Sequence, residues 1–373
     1  MAHSVYEGFI SSFEDDTLGS QSNPQTLFVE QESLDLGYEL RKRNIQVHNN
    51  RGVGSFAQVP LSMKPKGTIV FAFRADDSLR FLNAHFQYGT SSVTGTATTY
   101  TFHPHLGEGR YSRYDIIEDD GIPDTFCPFT ISIEKVLWGT GTNSYLFRQG
   151  IVESLTTRAG VGLEASFSAG VRFLSATAQS AVQGSVGAYS VSSAFESFNA
   201  NIKVDGAVID LVGFEANSWQ KLQDITPLGK MSPNGFKFLD YQLTGNLMMD
   251  LPNDAFKHVG SMIGTKNFSL TATMTNTGND KFIISLPVCR RLPFNFNQGT
   301  GDSKLTASIP FESYSYGTDL ITYSVITATT SSILTGQIML DAHEGARGTG
   351  YATFNAQAGA RTIATFLRFD RDV

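Results

Sequence analysis

The sequence of 373 residues predicts a mainly β protein in which one domain has been duplicated. Three observations support this class. Apolar residues alternate with Ser, Thr and Gly along much of the chain, which is the period of a half-buried strand. A motif of one strand and one short helix occurs twice, and long runs with helical spacing are nearly absent. With 41% apolar residues, the chain is long enough to bury two substantial cores.

The first copy of the motif begins at Gly67. Alternating apolar residues then place one set of side chains on the buried face of a strand. These residues are Ile69, Phe71 and Phe73. Asp76 and Asp77 follow, and we expect them to cap the start of a helix. The helix presents an apolar stripe formed by Leu79, Leu82 and Phe86.

The second copy begins at Gly245, 178 residues after Gly67. Its alternating apolar residues are Leu247, Met249 and Leu251. Asn253 and Asp254 take the capping positions of the predicted second helix. The apolar stripe of that helix consists of Phe256, Val259 and Ile263. A period this long indicates a duplicated domain, because solenoid repeats run roughly 20 to 50 residues.

Further predicted strands follow both helices in the same order. In the first copy they contain Tyr100 and Phe102, then Phe129, Ile131 and Ile133, and then residues 163–167. In the second copy they contain Phe268, Leu270 and Met274, then Phe282, Ile284 and Leu286, and then residues 305–309. The shared order supports duplication. The offset shrinks along the chain, so the first copy has the longer loops.

The composition of the chain predicts where its domains begin and end. Residues 175–197 are rich in Ala, Ser, Gly and Gln and contain few large apolar side chains, which is typical of a linker. The first domain is therefore predicted at 1–174 and the second at 198–317. Residues 318–373 continue with strand-like runs that have no counterpart in the first copy, and they are predicted to form a C-terminal β extension.

One long irregular segment, residues 105–127, interrupts the first predicted domain. A loop of this length inside a compact β domain is usually functional or disordered. It contains tyrosines and arginines, which are enriched where proteins contact partners. We therefore predict a contact site at Tyr111, Arg113, Tyr114 and Asp115.

Charge and targeting patterns narrow the class of function. The formal net charge is −7, which disfavours a nucleic-acid-binding role because gripping phosphates requires Lys and Arg. The basic runs Arg41-Lys42-Arg43 and Arg290-Arg291 are read as solvated strand ends. The first residues carry no signal-peptide pattern, and no apolar run reaches the roughly 20 residues of a membrane span. Cys127 and Cys289 form no metal-binding pair, and we expect no disulfide.

Catalytic and metal-binding alternatives have weak support. His103 and His105 could bind zinc with Glu108 or Asp115, but Pro104 separates the two histidines and the pattern fits a loop better. The acidic run Glu118, Asp119 and Asp120 could supply the two carboxylates of a glycan depolymerase, although Asp119-Asp120-Gly121-Ile122-Pro123 is first a turn signature. Residues 345–350 lack the Lys-Ser/Thr of a phosphate loop. We therefore expect no enzymatic activity, no cofactor and no metal.

A host-binding fibre or adhesin remains a second possibility. Exposed aromatic side chains would then form the recognition surface, with Trp138, Trp219, Tyr111 and Tyr114 as candidates. The alternative interpretation places Trp138 and Trp219 in the core or at a domain interface, and we favour it because large aromatic side chains are mostly buried.

The patterned segments resemble the tail tube, or major tail, proteins of long-tailed phages. The resemblance is carried by Gly245–Phe256, Ile283–Val288 and Ala307–Phe311 in the second copy and by Phe129–Lys135 and Gly150–Thr156 in the first. It covers about residues 60 to 315 and rests on strand patterns. It implies two tandem tail-tube-like β-sandwich domains, each with a short flanking helix.

The resemblance also implies a mode of assembly. Single-domain members build rings of six, so a chain with two such domains would form a homotrimeric, pseudo-sixfold ring. Head-to-tail stacking of rings then continues into a tube. The implied partners are a tape-measure protein and viral DNA in the lumen, with tail terminator and baseplate proteins at the ends. The implied location is the virion, after assembly in the host bacterial cytoplasm, and a non-contractile siphovirus tail fits best.

Within this assembly, the contact site at residues 111–115 is expected to join stacked rings, because the family carries an extended loop at this place. The lumenal face is expected to be net negative or nearly neutral, so that DNA slides without sticking.

Overall fold

The computed structural model describes thirteen stretches of the chain. They are residues 6–14, 21–26, 29–45, 55–86, 89–104, 129–137, 141–162, 165–179, 193–250, 267–293, 296–297, 306–315 and 320–328. These residues form a mainly β, sandwich-like fold with a single α-helix, α1 (Ala75–Phe86). None of the helices described is long and apolar enough to cross a membrane.

Twenty strands are described. They are β1 (Tyr6–Glu14), β2 (Gln21–Thr26), β3 (Val29–Glu32), β4 (Tyr38–Ile45), β5 (Ser55–Met63), β6 (Lys66–Ala72), β7 (Gly89–Thr94), β8 (Ala97–Phe102), β9 (Phe129–Leu137), β10 (Gly141–Gly160), β11 (Ser166–Gln179), β12 (Ala200–Val204), β13 (Ala207–Val208), β14 (Gly213–Ile225), β15 (Gly235–Asp250), β16 (Phe268–Thr275), β17 (Lys281–Arg291), β18 (Phe296–Asn297), β19 (Thr306–Tyr314) and β20 (Thr322–Thr327). A short 3-10 helix lies at Ser197–Asn199.

The first layer of the fold is an antiparallel sheet that we call the long-strand sheet. Its strands pair in the order β3, β6, β11, β10, β14, β15 and β19. The first half of β10 pairs with β9, which continues the sheet through β1 to β2. Only the second half of β10, residues 154–160, pairs with β14. One strand of the N-terminal half therefore joins the two halves of the chain within a single sheet.

The second layer pairs in the order β12, β16, β17, β20, β8 and β7. Strand β17 connects the two layers, because its first residues pair with β20 and its last residues, Val288–Arg291, pair with β19. Strand β20 comes from the predicted C-terminal extension, and it lies between β8 and β17. Strands β4 and β5 form a separate two-stranded hairpin.

One hydrophobic core fills the space between the layers and draws on both halves of the chain. The Phe73 ring lies 4.7 Å from the Phe282 ring and 5.0 Å from the Phe167 ring, measured between centroids. Helix α1 packs its predicted apolar stripe into this core, and Phe86 at its end lies 5.0 Å from Tyr323 of β20. The buried aromatic rings thus hold the two sheets and the helix together.

The structure confirms the predicted strands of both copies, apart from residues outside those described. The two copies also pair alike: β6 runs antiparallel to β11, and β15 runs antiparallel to β19. Gly67 lies opposite Val171 in the first pair, and Gly245 lies opposite Phe311 in the second. A Cβ on Gly67 would lie 2.6 Å from the Ser33 carbonyl oxygen, and one on Gly245 would overlap the Phe311 ring. A side chain at either position would therefore force neighbouring atoms to shift.

Two predictions at the helices have different outcomes. Helix α1 is confirmed, but it begins at Ala75, so Asp76 and Asp77 lie within its first turn and do not occupy the cap. Acidic residues favour a first turn as well as a cap, because the helix dipole is positive there. The predicted second helix at residues 253–263 lies outside the described residues.

The predicted domain boundaries stay a prediction. Strand β11 continues to Gln179, five residues past residue 174, because Ser175–Gln179 pair with Ser144–Arg148. The remainder of the proposed linker up to residue 192 and the extension after residue 328 lie outside the described residues.

Candidate functional site

The outward side of the long-strand sheet carries mostly small polar side chains, and we call it the polar face. Its residues are Ser154, Thr156 and Arg158 of β10, Ser166 and Ser168 of β11, Glu215, Asn217 and Trp219 of β14, Gln242, Thr244 and Asn246 of β15, and Ser308 and Glu312 of β19. Their sequence neighbours point into the core and are buried, as in Leu155, Phe167 and Leu247. Alternation along each strand thus separates a polar surface from an apolar one.

The strand register aligns the polar face in rows across the sheet. Ser168, Thr156, Asn217 and Thr244 lie directly opposite one another on successive strands. The Thr156 hydroxyl donates to Asn217 Oδ1 at 3.2 Å, and farther along, the Ser308 hydroxyl donates to Asn246 Oδ1 at 2.9 Å. These side chains partly satisfy one another, and they form rows of hydroxyl and amide groups beside which Arg158 and Trp219 are exposed.

The charges of the polar face are paired across strands. Arg158 Nη2 lies 3.1 Å from Glu215 Oε1, and the two residues are directly opposite in the register. Glu312 lies opposite Arg290 of β17. Each of these positive charges therefore has a negative neighbour on the next strand. An exposed pair contributes little stability, but it cancels the local field that would attract or repel a polyanion.

A buried polar network lies under this face, where α1 meets β10, β14 and β15. His85 Nδ1 lies 2.9 Å from the Val152 carbonyl oxygen, and Nε2 lies 2.6 Å from the Ser218 hydroxyl. The Ser218 hydroxyl also lies 2.9 Å from the Tyr241 hydroxyl. The side-chain amide of Gln220 donates to the His85 carbonyl oxygen. The carbonyl of Val152 can only accept, so Nδ1 carries the proton and neutral His85 accepts from Ser218 at Nε2.

This network is structural in character, although it contains a serine and a histidine in contact. Burial lowers the pKa of His85 to about 4, while the hydrogen bond to Val152 opposes the shift. Burial raises the pKa of Tyr241. His85 and Ser218 are both buried away from solvent, so a substrate cannot reach the serine hydroxyl. The network instead fixes α1 against the strands that present the polar face.

Beyond Trp219, strand β14 no longer pairs with β10. The end of the β14–β15 hairpin instead packs against the sheet through side chains. Leu222 of β14 and Phe236 of β15 form a second small hydrophobic cluster with Ile151 and Leu174. Beside this cluster, an ion-pair network joins four segments of the chain.

Arg172 is the centre of that ion-pair network. Its guanidinium donates to both carboxylate oxygens of Glu153 and lies 3.2 Å from Asp224 Oδ1. Lys64 Nζ lies 3.2 Å from the other oxygen of Asp224. Burial alone would lower the pKa of Arg172, but the hydrogen bonds and charges of Glu153 and Asp224 outweigh it and raise that pKa. The network anchors the end of the β14–β15 hairpin.

The predicted contact residues Tyr111, Arg113, Tyr114 and Asp115 lie outside the described residues, as do His105, Glu108 and the acidic run at 118–120. His103 is described, and its Nδ1 lies 3.3 Å from the Pro104 carbonyl oxygen. Within the described ranges, no three His, Cys, Asp or Glu side chains lie close enough together to hold a metal ion. These predictions stay untested.

The structure shows where one of the two tryptophans lies. Trp219 does not pack in the core, because it is 37% exposed on the polar face, and its placement at a domain interface stays a prediction. Side chains alternate along β14, so Trp219 points outward while its neighbours Ser218 and Gln220 point inward and are buried. Trp138 lies outside the described residues.

Cys289 is a buried free thiol whose pKa is raised by burial to about 12, which makes it unreactive.

Sequence reasoning did not identify the polar face. The signal is present in the alternation of Ser, Thr and Asn with buried apolar residues, but assigning one surface requires knowing which strands are neighbours. In comparisons with known proteins, no family model matches the chain, and no curated protein matches it significantly.

Proposed function

We propose that this chain is a structural protein of a phage tail, and that it polymerises as stacked rings into the tube through which viral DNA reaches the host. Two duplicated tube units per chain would give three chains in each pseudo-sixfold ring. A tape-measure protein and then DNA would occupy the lumen, and tail terminator and baseplate proteins would bind the ends. The protein would act in the virion after assembly in the bacterial cytoplasm.

The polar face is the observation that carries this proposal. DNA is held by unpaired Lys and Arg, which displace the condensed counterions of the phosphates. The one arginine among the residues that define the polar face, Arg158, is paired with Glu215. A broad sheet surface of hydroxyl and amide groups with balanced charge suits a wall along which a polyanion moves without binding. The antiparallel pairs β6–β11 and β15–β19, each formed by the first and last predicted strands of one copy, support the duplicated unit.

Electron microscopy of the purified full-length chain tests the assembly. Tubes, or rings that contain three chains in top view, are the expected result. Rings of six chains would contradict the duplicated-unit stoichiometry, and a protein that stays monomeric at high concentration would contradict the tube.

A DNA-retention assay tests the role of the polar face. Assembled wild-type tubes should retain little duplex DNA at low salt. Ser168→Arg and Asn217→Arg should increase retention in a salt-sensitive manner, because each adds an unpaired cation, whereas Ser168→Asn should not. Strong retention by wild-type tubes would refute a non-binding wall.

A host-binding adhesin is the second candidate, and exposed Trp219 favours it. The indole lies opposite Ser154 and Gln242, and an aromatic face beside hydroxyl and amide groups could stack on a sugar ring. Binding to host-surface glycans that Trp219→Ala abolishes, together with isolated trimers in microscopy, would support this function over the tube.

A further inference from the structure

The turn between β14 and β15 forms a basic end of the long-strand sheet. Leu228 is fully exposed there, and Ile225 and Met231 are partly exposed beside it. Residues 221–237 contain three lysines and one aspartate, a net charge of +2. Asp224 is already engaged by Arg172 and Lys64, and Asp240, just beyond this range, lies opposite Lys221 on the next strand. We call this surface the basic end.

The opposite end of the same strands forms an acidic end. Phe198 is 79% exposed in the 3-10 helix, and Val161 is exposed in the turn after β10. The Gly160 amide donates to Ser197 Oγ, and the Val161 amide donates to the Val212 carbonyl oxygen, so these segments lie together. Residues 196–215 contain four carboxylates and one lysine, and Glu215 is paired with Arg158, so the net charge with Arg158 included is −2. We call this surface the acidic end.

Strand β14 connects the two ends. It begins at Gly213, next to the acidic end, and finishes at Ile225, in the basic end. Thirteen strand residues at about 3.3 Å each place the ends about 40 Å apart along the strand. The two apolar surfaces are therefore far apart, and each is rimmed by charge of the opposite sign.

We propose that the basic end of one chain docks on the acidic end of a second copy of the same chain. Charge complementarity selects this occupant. Contact between two basic ends or two acidic ends would place like charges together, which disfavours a symmetric dimer. Basic-to-acidic contact uses two different surfaces and leaves one of each free, so the association continues as an open polymer.

The exposed apolar residues supply the attraction and the charges supply the orientation. Leu228 would be the anchor of the basic end, and Phe198 would be its counterpart on the acidic end. This inference rests on the proposed function, since in a tail tube the contact would be the one between stacked rings. It assigns that contact to the ends of the long strands, whereas the sequence pointed to residues 111–115.

A charge exchange tests the docking. The single variants Lys230→Glu and Asp210→Lys should each raise the critical concentration for polymerisation about tenfold, measured by sedimentation at low salt. The double variant should recover most of the loss, because the two altered positions again carry opposite charges. Leu228→Ser should also raise the critical concentration about tenfold, whereas Val93→Ser, an exposed valine of β7 outside both ends, should leave it unchanged.

The outcomes separate the two proposals. A wild-type chain that never polymerises overturns the tube and the docking together. A wild-type chain that forms tubes, with both single charge variants polymerising normally, overturns only the assignment to these ends. A double variant no better than the single variants likewise overturns the charge pairing, and circular dichroism of each variant identifies loss of fold as a separate cause.

Discussion

Acidification should destabilise the folded chain through His85 in particular. In the folded state this histidine is buried and neutral, and its surroundings are the Val152 carbonyl, the Ser218 and Tyr241 hydroxyls and the Gln220 amide, none of which is charged near neutral pH. Protonation would reverse the hydrogen bonds of Ser218 without breaking them. The cost of protonation is therefore desolvation of the charge, which is the cause of the lowered pKa.

The size of the effect follows from the two pKa values. The pKa of His85 is about 4 in the folded state, whereas the ordinary pKa of histidine, which applies in the unfolded chain, is 6.5. Between these values the unfolded state binds a proton that the folded state does not, so stability is complete above pH 6.5 and falls as the pH decreases. The difference corresponds to about 3 kcal/mol at most, of which about 1 kcal/mol should be lost by pH 5.5.

Urea unfolding between pH 7.5 and 4.5 measures this loss, with His85→Gln as the control. Glutamine does not titrate and can still donate to the Val152 carbonyl, so the difference in free energy of unfolding between the two proteins isolates His85. NMR titration of the histidine gives a second measurement on the unchanged chain. Parallel pH profiles for the two proteins, or a His85 that titrates near 6.5 in the folded state, would refute the reasoning.

Three further predictions concern stability, each measured by urea unfolding of the full chain. Gly245→Ala should lower the free energy of unfolding by about 1–3 kcal/mol, because the added Cβ overlaps a buried ring and a carbonyl. Gly278→Ala has more room and should lower it less. Equal losses in the two variants would contradict the steric account. Tyr323→Phe should be neutral or stabilising, because its buried hydroxyl has no partner among the described residues, whereas Tyr241→Phe should cost about 1 kcal/mol; the reverse order would contradict this. Arg172→Leu should cost about 1–3 kcal/mol by leaving two half-buried carboxylates without their shared partner, and a cost near zero would show that the network contributes nothing.

Local patterns were sufficient for those strands and the one helix that the sequence predicted and the structure describes. The alternation at Ile69, Phe71 and Phe73 predicted β6 and its buried face, and the spacing of Leu79 and Leu82 predicted α1. These predictions succeed because side-chain direction repeats every two residues in a strand and every 3.6 in a helix, whatever the element packs against.

Long-range pairing was beyond the reach of those patterns. Tyr100 of β8 lies opposite Val325 of β20, and Ser154 of β10 lies opposite Trp219 of β14. An alternating strand shows which side chains share a face, but its backbone groups can pair with any other strand. The exposure of Trp219 and the continuity of the polar face therefore depended on which strands became neighbours.

The sequence by itself determined a mainly β chain, the position of its helix and the apolar faces of its strands, because each of these depends on residues a few positions apart. Tertiary structure alone decided that both halves share one core and that His85 is buried beneath the sheet. Those features depend on which distant segments meet, and that is set by the packing of the whole chain.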